Sequence, residues 1–149
     1  MRTLNSLIDE YSESHIHPQN IIIHWICVPV IFFSIVEFLF CITLPLIGNL
    51  AILSLLLLTI YYFLLSKTLW IGMLILGLIC ITIAFYINVH FYEHRFTIFL
   101  VLFVSAWGGQ FFGHKIEGKK PSFLKDLQFL LIGPAWLMVK LYRKAGIPV

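Results

Sequence analysis

The residues of this chain able to do chemistry are six histidines and a few amides and carboxylates. Three of the histidines, His15, His17 and His24, stand where the first apolar segment begins, and His114 stands where a later one ends. Their neighbours keep helical spacing. Tyr11 and His15 are four apart, as are Asn20 and His24, and Gln110 and His114; Glu117 follows His114 by three. Side chains three or four apart share a helix face. If the two chain segments meet, His15, His24 and His114 with Glu117 make a ligand set for a first-row metal. Imidazole suits iron, zinc, copper or nickel, and a mixed histidine–carboxylate set with open positions suits non-haem Fe(II). Tyr11, Asn20 and Gln110 then become supports for the ligands or contacts to a substrate.

Competing readings come from the same residues. A single histidine near a membrane interface is more often an amphipathic anchor than a ligand, and His17 beside Pro18 reads as structural. His90 and His94 have the four-residue spacing of a metal pair but fall at the opposite end of the apolar segments, a hydrocarbon thickness of about 30 Å away. Glu37 lies 13 residues beyond His24, about 20 Å along a helix. It is therefore outside any His24 site and reads as a carboxylate reaching the far interface. No G-x-S-x-G, P-loop or G-x-G-x-x-G occurs. Gly108, Gly109 and Gly113 read as points of close helix approach.

The elements that must carry these residues follow from composition. The chain has 149 residues, 60% hydrophobic and only 11% charged, against about 25% charged in a soluble domain. This predicts an all-α integral membrane protein forming one domain over residues 1–149. Residues 1–19 read as an N-terminal amphipathic helix on the membrane surface, with Leu4, Leu7, Ile8 and Tyr11 on one face. Residues 20–113 read as four transmembrane helices, at about 21–40 (interrupted by Pro29), 50–65, 69–87 and 96–112. Asn20 is the expected cap of the first. Residues 114–149 read as a basic loop and a C-terminal re-entrant or interfacial helical hairpin, capped by Ser122 and broken at Gly133–Pro134. The acids of the N-terminus argue against a cleavable signal peptide.

Seven of the ten Lys and Arg lie after residue 113. In a membrane protein this sets topology and lipid contact. It does not build the basic groove with exposed stacking aromatics that nucleic acid needs, so no nucleic-acid partner is expected. With the loop of Lys115, Lys119, Lys120 and Lys125 in the cytoplasm, four spans bring the N-terminus there too, and the candidate site falls on the cytoplasmic face. Cys27, Cys41 and Cys80, odd in number and scattered, read as packing residues.

Two stretches carry a resemblance. Tyr11-x3-His15-x4-Asn20-x3-His24 followed by Val28-Pro29, and Trp107-x2-Gln110-Phe-x-Gly113-His114-x2-Glu117-x3-Pro121, together resemble the 2-hydroxy fatty acid dioxygenase family of yeast-type fatty acid α-oxidation, over essentially the whole chain. The resemblance implies an Fe(II)-dependent enzyme that uses O2 to shorten a 2-hydroxy fatty acid by one carbon. It makes His15, His24 and His114 the essential histidines. Glu117 falls at the family's acidic position. The membrane implied is a bacterial inner membrane, or the endoplasmic reticulum in a eukaryote. The family usually has glycine before Val-Pro; here Cys27 stands there. Such a substrate can chelate iron through its carboxylate and 2-hydroxyl while its tail lies among apolar helices. Lys115, Lys119 and Lys120 could attract its carboxylate, although setting topology is their commoner role. The alternative is a non-enzymatic membrane protein that binds lipid or partner helices, its histidines serving as interfacial anchors.

Overall fold

A computed structural model describes residues 3–118 and 123–149. The expected cap Ser122, with Lys119, Lys120 and Pro121, lies outside the described residues.

Helix α1 spans Leu4–Ser12, and Thr3 caps it by accepting from the Ser6 amide at 3.3 Å. Its apolar stripe of Leu4, Leu7, Ile8 and Tyr11 is buried against the last helix, where Ile132, Ala135, Trp136 and Val139 offer a matching stripe. The stripe is thus turned into the protein instead of onto a lipid surface. Apolar packing contributes about 1.5–3 kcal/mol for each large side chain buried, so a complementary stripe within the chain satisfies it fully.

Helix α2 spans Pro18–Phe40 without a break at Pro29. Its cap is His17, whose Nδ1 accepts from the Gln19 amide at 3.3 Å, with Pro18 at the first helical position. Proline suits that position because it has no amide hydrogen to leave unpaired. Asn20, expected as the cap, is instead inside the helix, and its side chain is turned to partners outside it, the Ser14 carbonyl and Glu117. At the far end Thr43–Leu44 and Gly48–Asn49 form a two-stranded ribbon, β1 and β2, turned at Gly48 (φ 84°). Asn49 donates to the Phe40 carbonyl at 2.7 Å and caps α3.

Helix α3 spans Leu50–Leu65, α4 Leu69–His90 and α5 Arg95–Glu117, with a short 3-10 turn over Tyr92–His94 between the last two. Among the described residues three helices, Pro18–Phe40, Leu69–His90 and Tyr92–Glu117, are long and apolar enough to cross a membrane. The expected fourth, α3, has 16 residues, about 24 Å at 1.5 Å per residue, short of the roughly 30 Å core. It still runs back beside α2 and α4 and returns the chain to the starting end. Ile22, Ile26, Leu56, Leu64, Ile75 and Val104 remain exposed on the outer faces. Large apolar surface on that scale is what a lipid-facing bundle presents.

Helix α6 is one helix, Phe123–Lys144, with Pro134 inside it. The expected hairpin does not form. An interior proline costs about 3 kcal/mol, but Ile132, Ala135, Trp136, Leu137 and Val139 are all buried around it, and their packing outweighs that cost. Tyr62 donates its hydroxyl to the Leu131 carbonyl at 2.5 Å, in the turn that Pro134 disturbs. Glu37 stands three residues before the end of α2. It is fully buried in α2 and accepts from Asn88 Nδ2 on α4 at 2.9 Å.

Candidate metal centre

The most extensive packing in the molecule is α2 against α5. It is made possible by glycine: a Cβ at Gly109 would strike Cys27 Sγ, and one at Gly113 would strike Asn20 Oδ1. Gly108 has open space around it and plays no such part. Cys27 thus packs its sulfur into the notch that Gly109 leaves. This close approach sets the start of α2 beside the end of α5, and so His24 beside His114.

His15 arrives from the turn after α1. The ring centroids are 4.2 Å apart for His15 and His24, 5.1 Å for His24 and His114, and 5.4 Å for His15 and His114. All three are buried, and each offers a nitrogen within 4.8 Å of the other two. Ligand nitrogens 2.0–2.1 Å from a shared metal lie about 3.3 Å apart, so small side-chain rotations close the set.

The tautomers are fixed by the backbone. His15 Nδ1 meets the Tyr11 carbonyl at 2.6 Å, and His24 Nδ1 meets the Asn20 carbonyl at 2.9 Å. A carbonyl can only accept, so each Nδ1 carries the hydrogen and each Nε2 keeps its lone pair. Both Nε2 atoms are buried without a partner. A buried acceptor left unpaired costs about 1–3 kcal/mol; two aimed into one small space fit a metal ion. Burial lowers the His15 pKa to about 4, against the smaller opposing pull of the Tyr11 carbonyl. The ring is therefore neutral near pH 7, the form that binds metal.

Tyr11 stacks flat on His15, with centroids 4.1 Å and planes 9° apart. Gln110 is buried one turn before His114. Lys115, by contrast, is exposed. Glu117 does not belong to the three-histidine group. Its Oε1 accepts from the Ile16 amide at 3.0 Å, and its Oε2 from the His17 amide at 2.9 Å and Asn20 Nδ2 at 3.0 Å. Expected as a ligand, it is placed as a clasp that ties the turn carrying His15 to the end of α5. The reason is that the two amides entering α2 have no helical partner, and a carboxylate meets them better than any neutral group. His90 and His94 stand apart, at the opposite end of α4.

One wall escaped the sequence reading. Trp136 of α6 is buried, its ring 5.5 Å from His15 and 5.3 Å from Tyr11, and its Nε1 donates to Ser12 Oγ at 2.8 Å. Lys140, one turn on, sits 3.6 Å over the Trp136 ring. The four-residue spacing of Trp136 and Lys140 was the available signal, and it matches that of the histidine pairs.

Among known proteins, a family model described as "Mpo1-like: 2-hydroxy-palmitic acid dioxygenase Mpo1-like" matches residues 1–145. No curated protein and no solved structure matches the chain.

Proposed function

The chain belongs to the Mpo1-like family, and from that premise we propose that it is an Fe(II)-dependent dioxygenase that shortens 2-hydroxy fatty acids by one carbon. The observation that carries the proposal is the buried trio His15, His24 and His114, two of its members with partnerless Nε2 atoms directed into a common space. Three imidazole nitrogens leave positions open for a bidentate substrate and O2, which suits non-haem iron. When bound, the iron would supply the redox chemistry that lets O2 break the C1–C2 bond.

The protein's own part is binding and exclusion. The Tyr11 and Asn20 carbonyls hold the Nδ1 protons of His15 and His24 and orient both rings. Tyr11, Trp136 and the close α2–α5 contact keep water from the far sides of the ligands. The substrate hydroxyl and carboxylate would meet the centre while the tail lies among apolar helices. The positive-inside bias of the C-terminal lysines favours the cytoplasmic side of a bacterial inner membrane for this end of the bundle.

The test is metal analysis of anaerobically purified protein with a product assay on 2-hydroxyhexadecanoate. The expected result is stoichiometric iron and a chain one carbon shorter, with both lost in His24→Ala and His114→Ala. Full activity in either variant would refute the proposal.

A further inference from the structure

We propose that Lys140 is the residue that binds the substrate carboxylate, with the tail directed into the apolar cavity that α6 shares with α2, α3 and α4. The inference rests on the dioxygenase reading above and adds the residue and orientation that it lacks.

Lys140 is held, not loose. Its ammonium lies 3.6 Å over the Trp136 ring, and that ring is fixed by its bond to Ser12 and by its contacts with Tyr11 and His15. These distances put the ammonium within about 9 Å of the His15 ring, inside the swing of a four-carbon side chain. Among the described residues Lys140 has no carboxylate partner; its contact is the indole face. Leaving that face forfeits only about 0.5–2 kcal/mol, so an arriving carboxylate can take the ammonium. Lys115, the sequence-stretch candidate beside His114, is exposed and has no such setting.

The direction comes from what else α6 carries. Leu130 and Leu131 line an apolar cavity of about 420 Å³ between α2, α3, α4 and α6, together with Phe32, Val36, Leu58 and Ile81. Leu131 and Lys140 are nine residues apart on α6, about 14 Å along its axis, and Trp136, whose ring lies 5.5 Å from His15, falls between them in the chain. A long-chain acid with a polar head has that order of cation, reacting centre and apolar space. A membrane acyl chain extends about half of the 30 Å core, so a head at the histidines puts the far half of the tail at cavity depth.

The test compares two ligands on full-length protein: 2-hydroxyhexadecanoate and 1,2-hexadecanediol, which shares the tail and hydroxyl but lacks the charge. Equilibrium binding of each is measured for the native protein, Lys140→Met and Lys140→Arg. Lys140→Met is expected to weaken binding of the acid about ten- to a hundredfold, the range of one charge-assisted hydrogen bond. Binding of the diol and metal content should hold, and Lys140→Arg should recover most of the loss. Equal weakening of acid and diol, or an unchanged affinity for the acid, would overturn the assignment. Lys140-dependent binding of the acid by a protein that neither holds iron nor shortens the chain would uphold the anchor and defeat the dioxygenase reading.

Discussion

Removal of the Glu117 carboxylate separates two roles that predict different outcomes. In the structure it accepts from the Ile16 and His17 amides and from Asn20 Nδ2, at 2.9–3.0 Å. Hydrogen bonds to a charged group are worth about 1.5–3 kcal/mol each. That figure must be discounted here, because Ile16 and His17 are exposed and their amides can turn to water. Asn20 Nδ2 also keeps the Ser14 carbonyl at 3.3 Å. A loss of about 2–3 kcal/mol remains for Glu117→Ala. It falls on the attachment of the His15 turn to α5, so the metal-free protein should unfold at a temperature several degrees lower. Metal affinity should fall about 10–100-fold, the usual effect of removing a support behind a ligand, with the coordination spectrum of the loaded protein unchanged. Thermal unfolding of the metal-free variant, metal titration and X-ray absorption of the loaded form make the measurement. A direct ligand would behave oppositely: the metal-free protein would be as stable as the parent, and the loaded form would show a changed shell. That pattern would refute the clasp.

Two further outcomes follow from the same geometry. His15 has a folded pKa of about 4 against an ordinary 6.5, so the unfolded chain takes up the proton first as pH falls. The stability this ring contributes is complete above about pH 6.5 and is lost between 6.5 and 4. The loss is about 2 kcal/mol by pH 5, and His15→Gln should flatten the pH dependence of metal-free unfolding by that amount. An unchanged slope would count against a buried neutral ring. Gly113→Ala should cost about 1–3 kcal/mol and reduce bound metal, because its Cβ meets Asn20 Oδ1 and pushes α2 from α5. Gly108→Ala, with open space around it, should be silent in both assays.

The sequence by itself determined the class of protein and the identity of the histidines. Apolar runs of about 16 to 20 residues with hardly a charge admit only helices in a hydrocarbon-like setting, since each backbone group must be paired within its own segment. The bounds of α3 were legible to the residue for that reason. The pairs Asn20–His24 and Gln110–His114 were legible because helix periodicity fixes which side chains are neighbours before any tertiary contact forms; Tyr11 and His15 also meet, but through the turn that follows α1 and not on one helix.

Tertiary structure decided everything that depends on what lies across from a residue. The stripe of α1 could have faced lipid equally well; the matching stripe of α6 drew it inward. Gly133–Pro134 reads locally as a break, and only burial of the surrounding α6 side chains keeps the helix whole. Glu117 has the spacing of a ligand on α5, yet the two unpaired amides entering α2, a hundred residues earlier, claim its oxygens. Trp136 and Lys140 joined the site for the same reason. Periodicity describes one helix at a time, while the partner that a buried polar atom finds is fixed by which helices come together, and here that rests on the notches at Gly109 and Gly113.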